Sequence, residues 1–105
     1  MSDEVLIDIP YILAASKRIE YKSNVISRYT TLIKFFQKKG LLTQTLLTPD
    51  ESCSDELLLM CSHFTPLGVD FFDSVIDYWD TKIDKGADPS NDTLLEKRFI
   101  AFNKK

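Results

Sequence analysis

Five aspartates, Asp70, Asp73, Asp77, Asp80 and Asp84, recur at spacings of three, four, three and four residues. On an α-helix they fall in one strip about 80° wide, with Val75 and Trp79 on the opposite face. Lys82 and Lys85 project outside it. The strip works against its own helix. Like charges at these spacings repel by about 0.2–0.5 kcal/mol per pair, and Asp forms helix less well than Glu. Asp80 and Asp84 also sit at the end where the helix dipole favours cations. Two readings compete. One is a solvated face, although such a face ordinarily mixes signs and uses Glu and Lys. The other is a docking surface for the Lys and Arg of a basic protein partner: a one-sign field speeds encounter, and short carboxylates lose little entropy on pairing. Divalent cations fit poorly, because side chains along a straight helix do not converge on one ion. Tyr78 projects between the apolar face and the aspartates, a place for a rim anchor.

No other cluster makes a reactive centre. Cys53, Cys61 and His63 are spaced C-x7-C-x-H without a nearby fourth ligand, against the pattern of zinc sites. A Cys61/His63 nucleophile pair lacks a third, orienting group, and His63 is the sole histidine. The stretch from Asp84 to Asp92 fails as a calcium loop. Counted from Asp80, the sixth position is Lys85 instead of Gly; counted from Asp88, the twelfth is Phe99 instead of Glu. Gly40, Gly68 and Gly86 are isolated, so no phosphate-cradling loop is present. Phe35, Phe36, Phe64, Phe71, Phe72, Tyr78 and Trp79, with Phe99 and Phe102, mostly follow core spacing more than that of a base-stacking platform. No catalytic residue, metal ligand or cofactor is assigned.

Helices must position the strip. The clearest runs from Ser23 or Asn24 to Lys39, with Val25, Ile26, Tyr29, Leu32, Ile33 and Phe36 on one face. Ser23 is its expected cap and Gly40 its left-handed stop. A second starts at Thr65, with Pro66 in the first helical position, and runs to Ile83 with Phe71, Phe72, Val75, Ile76, Trp79 and Ile83 inward. A third spans 92–102, capped by Asp92 or Ser90. Asp8 is expected to cap an N-terminal helix from Ile9 or Pro10 to Tyr21 that buries Tyr11, Ile12 and Ile19. Residues 41–61 stay open. Leu57 to Met60 fits either a helical turn or a strand pairing with Thr43 to Leu47. The fold class is mostly α: a single domain over residues 1–105, a helical bundle of four to five helices, with a short β-hairpin in 41–61 as the open option.

With 105 residues, 44% hydrophobic and 28% charged, the chain supports one core and is too apolar for disorder. Its net charge of −3 argues against direct nucleic-acid binding. That value hides an asymmetry. Residues 1–48 carry seven bases against four acids, residues 49–93 eleven acids against two bases, and residues 94–105 four bases against one acid. No stretch is long and apolar enough for a bilayer, because Asp8 and Pro10 break the run from Val5 to Ala15. Asp3 and Glu4 stand where a signal peptide would be basic. Two cysteines form no disulfide scaffold, so the cytoplasm is the expected compartment.

The runs at 62–72 (SHFTPLGVDFF), 78–86 (YWDTKIDKG) and 94–97 (LLEK) give a threonine-capped helix, a Trp near its end, an Asp-Lys-Gly turn and a final Leu-Glu-Lys helix. Across about residues 28–102 this order resembles small bacterial immunity proteins of polymorphic toxin and contact-dependent growth inhibition systems. The resemblance implies a cytoplasmic, non-enzymatic protein that binds and neutralises one cognate toxin domain, often a nuclease. It carries over no functional residues. The partner-binding candidates, Asp70, Asp73, Asp77, Tyr78, Asp80 and Asp84, come from the charge pattern alone. They would occupy the cations with which a basic nuclease grips phosphate. The competing class is a regulatory adaptor or self-associating helical domain, whose aspartates are merely solvated. A small enzyme built on His63 is the third.

Overall fold

The computed structural model describes residues 4–15 and 19–104. In chain order these form β1 (Val5–Asp8), α1 (Ile9–Ala15), α2 (Ile19–Lys38), β2 (Leu58–Met60), a short 3-10 turn (Cys61–His63), α3 (Pro66–Asp84) and α4 (Thr93–Asn103). Helices dominate, as the periodicity predicts, and the helices pack around one core with a two-stranded antiparallel sheet at its side.

The open option in 41–61 resolves as a strand at 58–60, but its partner is not the 43–47 stretch. β2 pairs with β1, in the register Val5↔Met60, Ile7↔Leu59 and Asp8↔Leu58, with an irregularity between Val5 and Ile7. Ile7 and Leu59 point inward and are buried, whereas Val5 and Leu58 stay exposed. The 41–43 stretch pairs elsewhere, with 63–65: Leu42 bridges Phe64, Thr43 N donates to His63 O at 2.8 Å, and Thr65 N donates to Leu41 O at 2.9 Å.

Residues 9–15 are helical, as expected of the N-terminal helix, and 16–18 lie outside the described residues. Tyr21 lies in α2, which is already helical at Ile19, so Ser23 is no cap. Tyr21, Val25, Tyr29, Leu32 and Phe36 lie on one stripe of α2. Asp8 does cap α1, accepting from Tyr11 N at 3.0 Å. Tyr11 itself is 72% exposed, because Ile9 takes the inward position. The expected burial of Ile19 falls outside the described side chains.

The other ends follow local chemistry. Gly40 closes α2 at φ 72° and Gly86 closes α3 at φ 108°, where a Cβ would be strained. Thr65 Oγ1 accepts from Gly68 N at 3.0 Å, with Pro66 behind it in the first turn. At α4 the Asp92 side chain makes no cap; Asn91 Oδ1 accepts from Thr93 N at 2.9 Å instead.

The aromatic residues form the core's interior, as their spacing predicts. Phe36 meets Phe64 and Phe71 with ring centres 5.4 and 5.3 Å apart, and Phe71 meets Phe99 and Phe102 at 5.1 and 5.3 Å. Gly68 lets α3 approach the 41–43 segment. A Cβ there would collide with the Leu41 carbonyl oxygen, which already accepts from Thr65 N. We expect Gly68→Ala to destabilise the fold by about 2 kcal/mol or more, read as a lower urea midpoint, despite alanine's better helix propensity. An unchanged midpoint would show that α3 can shift away from Leu41 without cost.

Candidate functional site

All five aspartates stand on α3, but the structure divides them. Asp70, Asp73 and Asp77, in the first two-thirds of the helix, are exposed and make no ion pair or side-chain hydrogen bond among the described residues. Asp80 and Asp84 face α2 and are already engaged. The lysines of α3 itself stay outside the strip, yet a cation reaches it from the neighbouring helix.

That cation is Arg28, 4% exposed. Its Nη1 donates to Asp80 Oδ1 at 3.3 Å and its Nη2 to Asp84 Oδ1 at 2.9 Å. Asn24, one turn earlier on α2, accepts from Nε at 3.1 Å and from Nη2 at 2.7 Å. Tyr29 adds a hydroxyl donor to Asp80 Oδ1 at 3.2 Å. Behind them the Trp79 indole donates to the Arg28 carbonyl oxygen at 3.2 Å. Burial acts to lower the Arg28 pKa, but the Asp84 hydrogen bond and the charges of Asp84 and Asp80 outweigh it, and the guanidinium is held more firmly protonated. Burial pushes the Asp80 carboxyl above its ordinary value, against the opposing pull of Arg28 and Tyr29.

Sequence reasoning did not find Arg28 or Asn24, although a signal was present. Arg28 lies three residues after Val25 and four before Leu32, on the margin of the apolar stripe. Tyr78 sits half-buried beside the strip, with Arg98 of α4 over its ring at 4.1 Å and Lys82 at 5.6 Å. Its ring is thus packed against cations on the α4 side of the exposed aspartates.

The remaining candidates have structural surroundings. His63 Nδ1 accepts from Met60 N at 3.1 Å and so closes the turn after β2. Cys53 is buried, and its backbone N donates to Thr30 Oγ1 at 2.8 Å. Cys61 is half-buried, and both thiols are free. In the segment between α3 and α4, Asp88 Oδ1 accepts from Ser90 N and Oγ at 2.9 and 2.7 Å, a local turn. Among the described residues no three His, Cys, Asp or Glu side chains converge as a metal site, and no helix is long and apolar enough to cross a membrane.

No protein-family model, curated protein or solved structure matches the chain.

The division of the strip is measurable. Asp80→Ala should lower stability by about 2 kcal/mol, because it strips a buried guanidinium of one acceptor. Asp73→Ala should stay within about 0.5 kcal/mol of the parent. Equal effects at the two positions in urea unfolding would contradict the division.

Alkaline pH gives a second test. Burial, helped by the charge of Asp55, pushes the Cys53 thiol from 9.0 up to about 12. Burial, followed by the charge of Asp80, also raises the Tyr29 phenol. The folded chain therefore holds protons that the unfolded chain releases, so stability falls as pH rises above 9. We expect the urea midpoint to drop from pH 9 upward, and Cys53→Ala to flatten part of that slope; a variant with the parent's slope would contradict the assignment.

Proposed function

We propose that this chain is a non-enzymatic binding protein that docks a basic partner through the exposed edge of α3, as an immunity protein docks a toxin domain. The observation that carries this reading is the set Asp70, Asp73 and Asp77. Three carboxylates lie about a turn apart on a helix, exposed and without ion-pair partners among the described residues. Asp80 and Asp84, held by Arg28, extend the negative field of that edge while fixing the helix in place. Like charges left unneutralised on one edge cost stability, and a partner's Lys or Arg side chains remove that cost on binding. Tyr78 flanks the edge as an amphipathic rim residue.

The resemblance of about residues 28–102 to small bacterial immunity proteins supports the more specific form of the proposal: inhibition of a basic nuclease toxin in the cytoplasm of the cell that makes it. A nuclease grips phosphate with Lys and Arg, and an acidic protein edge can occupy the same cations.

The test is charge reversal at Asp70, Asp73 and Asp77 together, leaving Asp80 and Asp84 in place. With the chain as bait in lysate of its source cell, the parent should retain a basic partner at low salt and release it at high salt. The Asp70→Lys, Asp73→Lys, Asp77→Lys variant should lose it at both. With the purified partner, the association rate at low salt should fall about tenfold or more. A partner held equally by parent and variant, or recovery of the chain alone, would overturn the reading, the latter in favour of self-association.

A further inference from the structure

His63 is the single histidine of the chain, and the fold uses it as an acceptor. Across the sheet, Ile9 N donates to Leu57 O at 3.3 Å and Cys61 N to Glu4 O at 2.8 Å. Hydrogen bonding alternates along an antiparallel strand, so Met60 N, out of step with Leu57 and Cys61, points away from β1. Its acceptor among the described residues is His63 Nδ1 at 3.1 Å. An N–H aimed at the ring demands a bare nitrogen there. The bond therefore fixes the tautomer: Nδ1 keeps its lone pair and Nε2 carries the proton.

The turn closed by this bond is a junction. Within it Phe64 N donates to Cys61 O at 3.2 Å. Thr43 N donates to His63 O at 2.8 Å and Thr43 Oγ1 to Ser62 O at 2.9 Å, which ties the turn to the 41–43 segment. Directly after it, Phe64 bridges Leu42 and Thr65 caps α3. The start of β1, the 41–43 segment and the start of α3 are thus all fastened at residues 61–65.

Imidazole is the side chain whose charge changes between about pH 8 and 5. A proton on Nδ1 turns the acceptor into a donor, and two N–H groups then face each other. The titratable groups on the adjoining elements are few. Glu4 and Asp8 flank or end β1, Cys61 is on the turn itself, and Asp70 is in the second turn of α3. The 41–48 stretch has none, and α1, packed on β2, has only the exposed Tyr11. None of them forms an ion pair with His63 among the described residues, so the bond from Met60 is the contact that protonation changes.

We infer that His63 is a pH-sensitive latch on this junction. Neutral, it holds Met60 N and locks the turn; protonated, it releases Met60 N and loosens the 41–43 segment fastened to the turn. The unfolded chain has no such bond to lose, so protonation favours it and stability falls as pH falls. The latch lies apart from the α3 edge and does not rest on the function proposed above.

The test follows amide exchange in the full chain, labelled with ¹⁵N, at about pH 7.5 and about pH 5.5. Corrected for the intrinsic rate, protection of the Met60 and Thr43 amides should fall about tenfold at the lower pH, while Leu32 and Val75, in the middle of α2 and α3, keep theirs. His63→Asn supplies an amide oxygen that accepts and does not titrate, and should hold Met60 equally at both pH values. His63→Ala, with no acceptor, should leave Met60 weakly protected at both. Parent protection at Met60 that does not change between the two pH values, or a His63→Asn variant that responds to pH as strongly as the parent, would overturn the inference.

Discussion

A guanidinium withdrawn from water must find an acceptor for each donor it buries, or the fold loses several kcal/mol. Arg28 meets that demand only where α2 lies against the last turns of α3, because Asp80 and Asp84 are there and Asn24 is one turn back on its own helix. The pair fixes both the approach and the rotation of the two helices. With the rotation set, Trp79 reaches the Arg28 carbonyl oxygen, Tyr29 reaches Asp80, and the phenylalanines fall into one contiguous layer towards Gly40 and Thr65. The same rotation turns Asp70, Asp73 and Asp77 outward. What α3 offers to a partner is therefore settled by what its far end gives to α2.

Much of this was legible in the residues. α3 carries its start and stop signals in Thr65, Pro66 and Gly86, and the stripe from Val25 to Phe36 marks the inward face of α2 unaided; the cap of α4 was misplaced by a residue, because Asn91, Asp92 and Ser90 all have the chemistry for it. The sheet was not legible. Residues 5–8 and 58–60 are short apolar runs, and pairing over so large a separation depends on which edge the helices leave open. The aspartate strip was visible as a pattern. Its division was not, since helical spacing says nothing about which neighbouring helix brings an arginine to one end.

Charge in this chain is arranged more than it is abundant. The basic first part contributes α2, whose Arg28 and Lys38 hold aspartates and glutamate from later in the chain. Lys39 joins Glu96 at 3.2 Å and lies over the rings of Phe35 and Phe99 at 5.5 Å each, tying α4 to the end of α2. Opposite charges thus meet across helix interfaces, and Asp70, Asp73 and Asp77 of the α3 edge are among the acids without an ion pair among the described residues. A net charge of −3 is compatible with strong local fields for that reason.

The pairing of Val5–Asp8 with Leu58–Met60 also orders events in time. β1 leaves the ribosome early, yet its hydrogen-bond partners are synthesised some fifty residues later. Closing so long a loop carries an entropic cost that local helices do not meet. The helical layer can therefore assemble around the Arg28 contact while β1 waits, and the strand is added to a surface already formed. In the finished molecule the same pairing shields Leu59, buried opposite Ile7, from water.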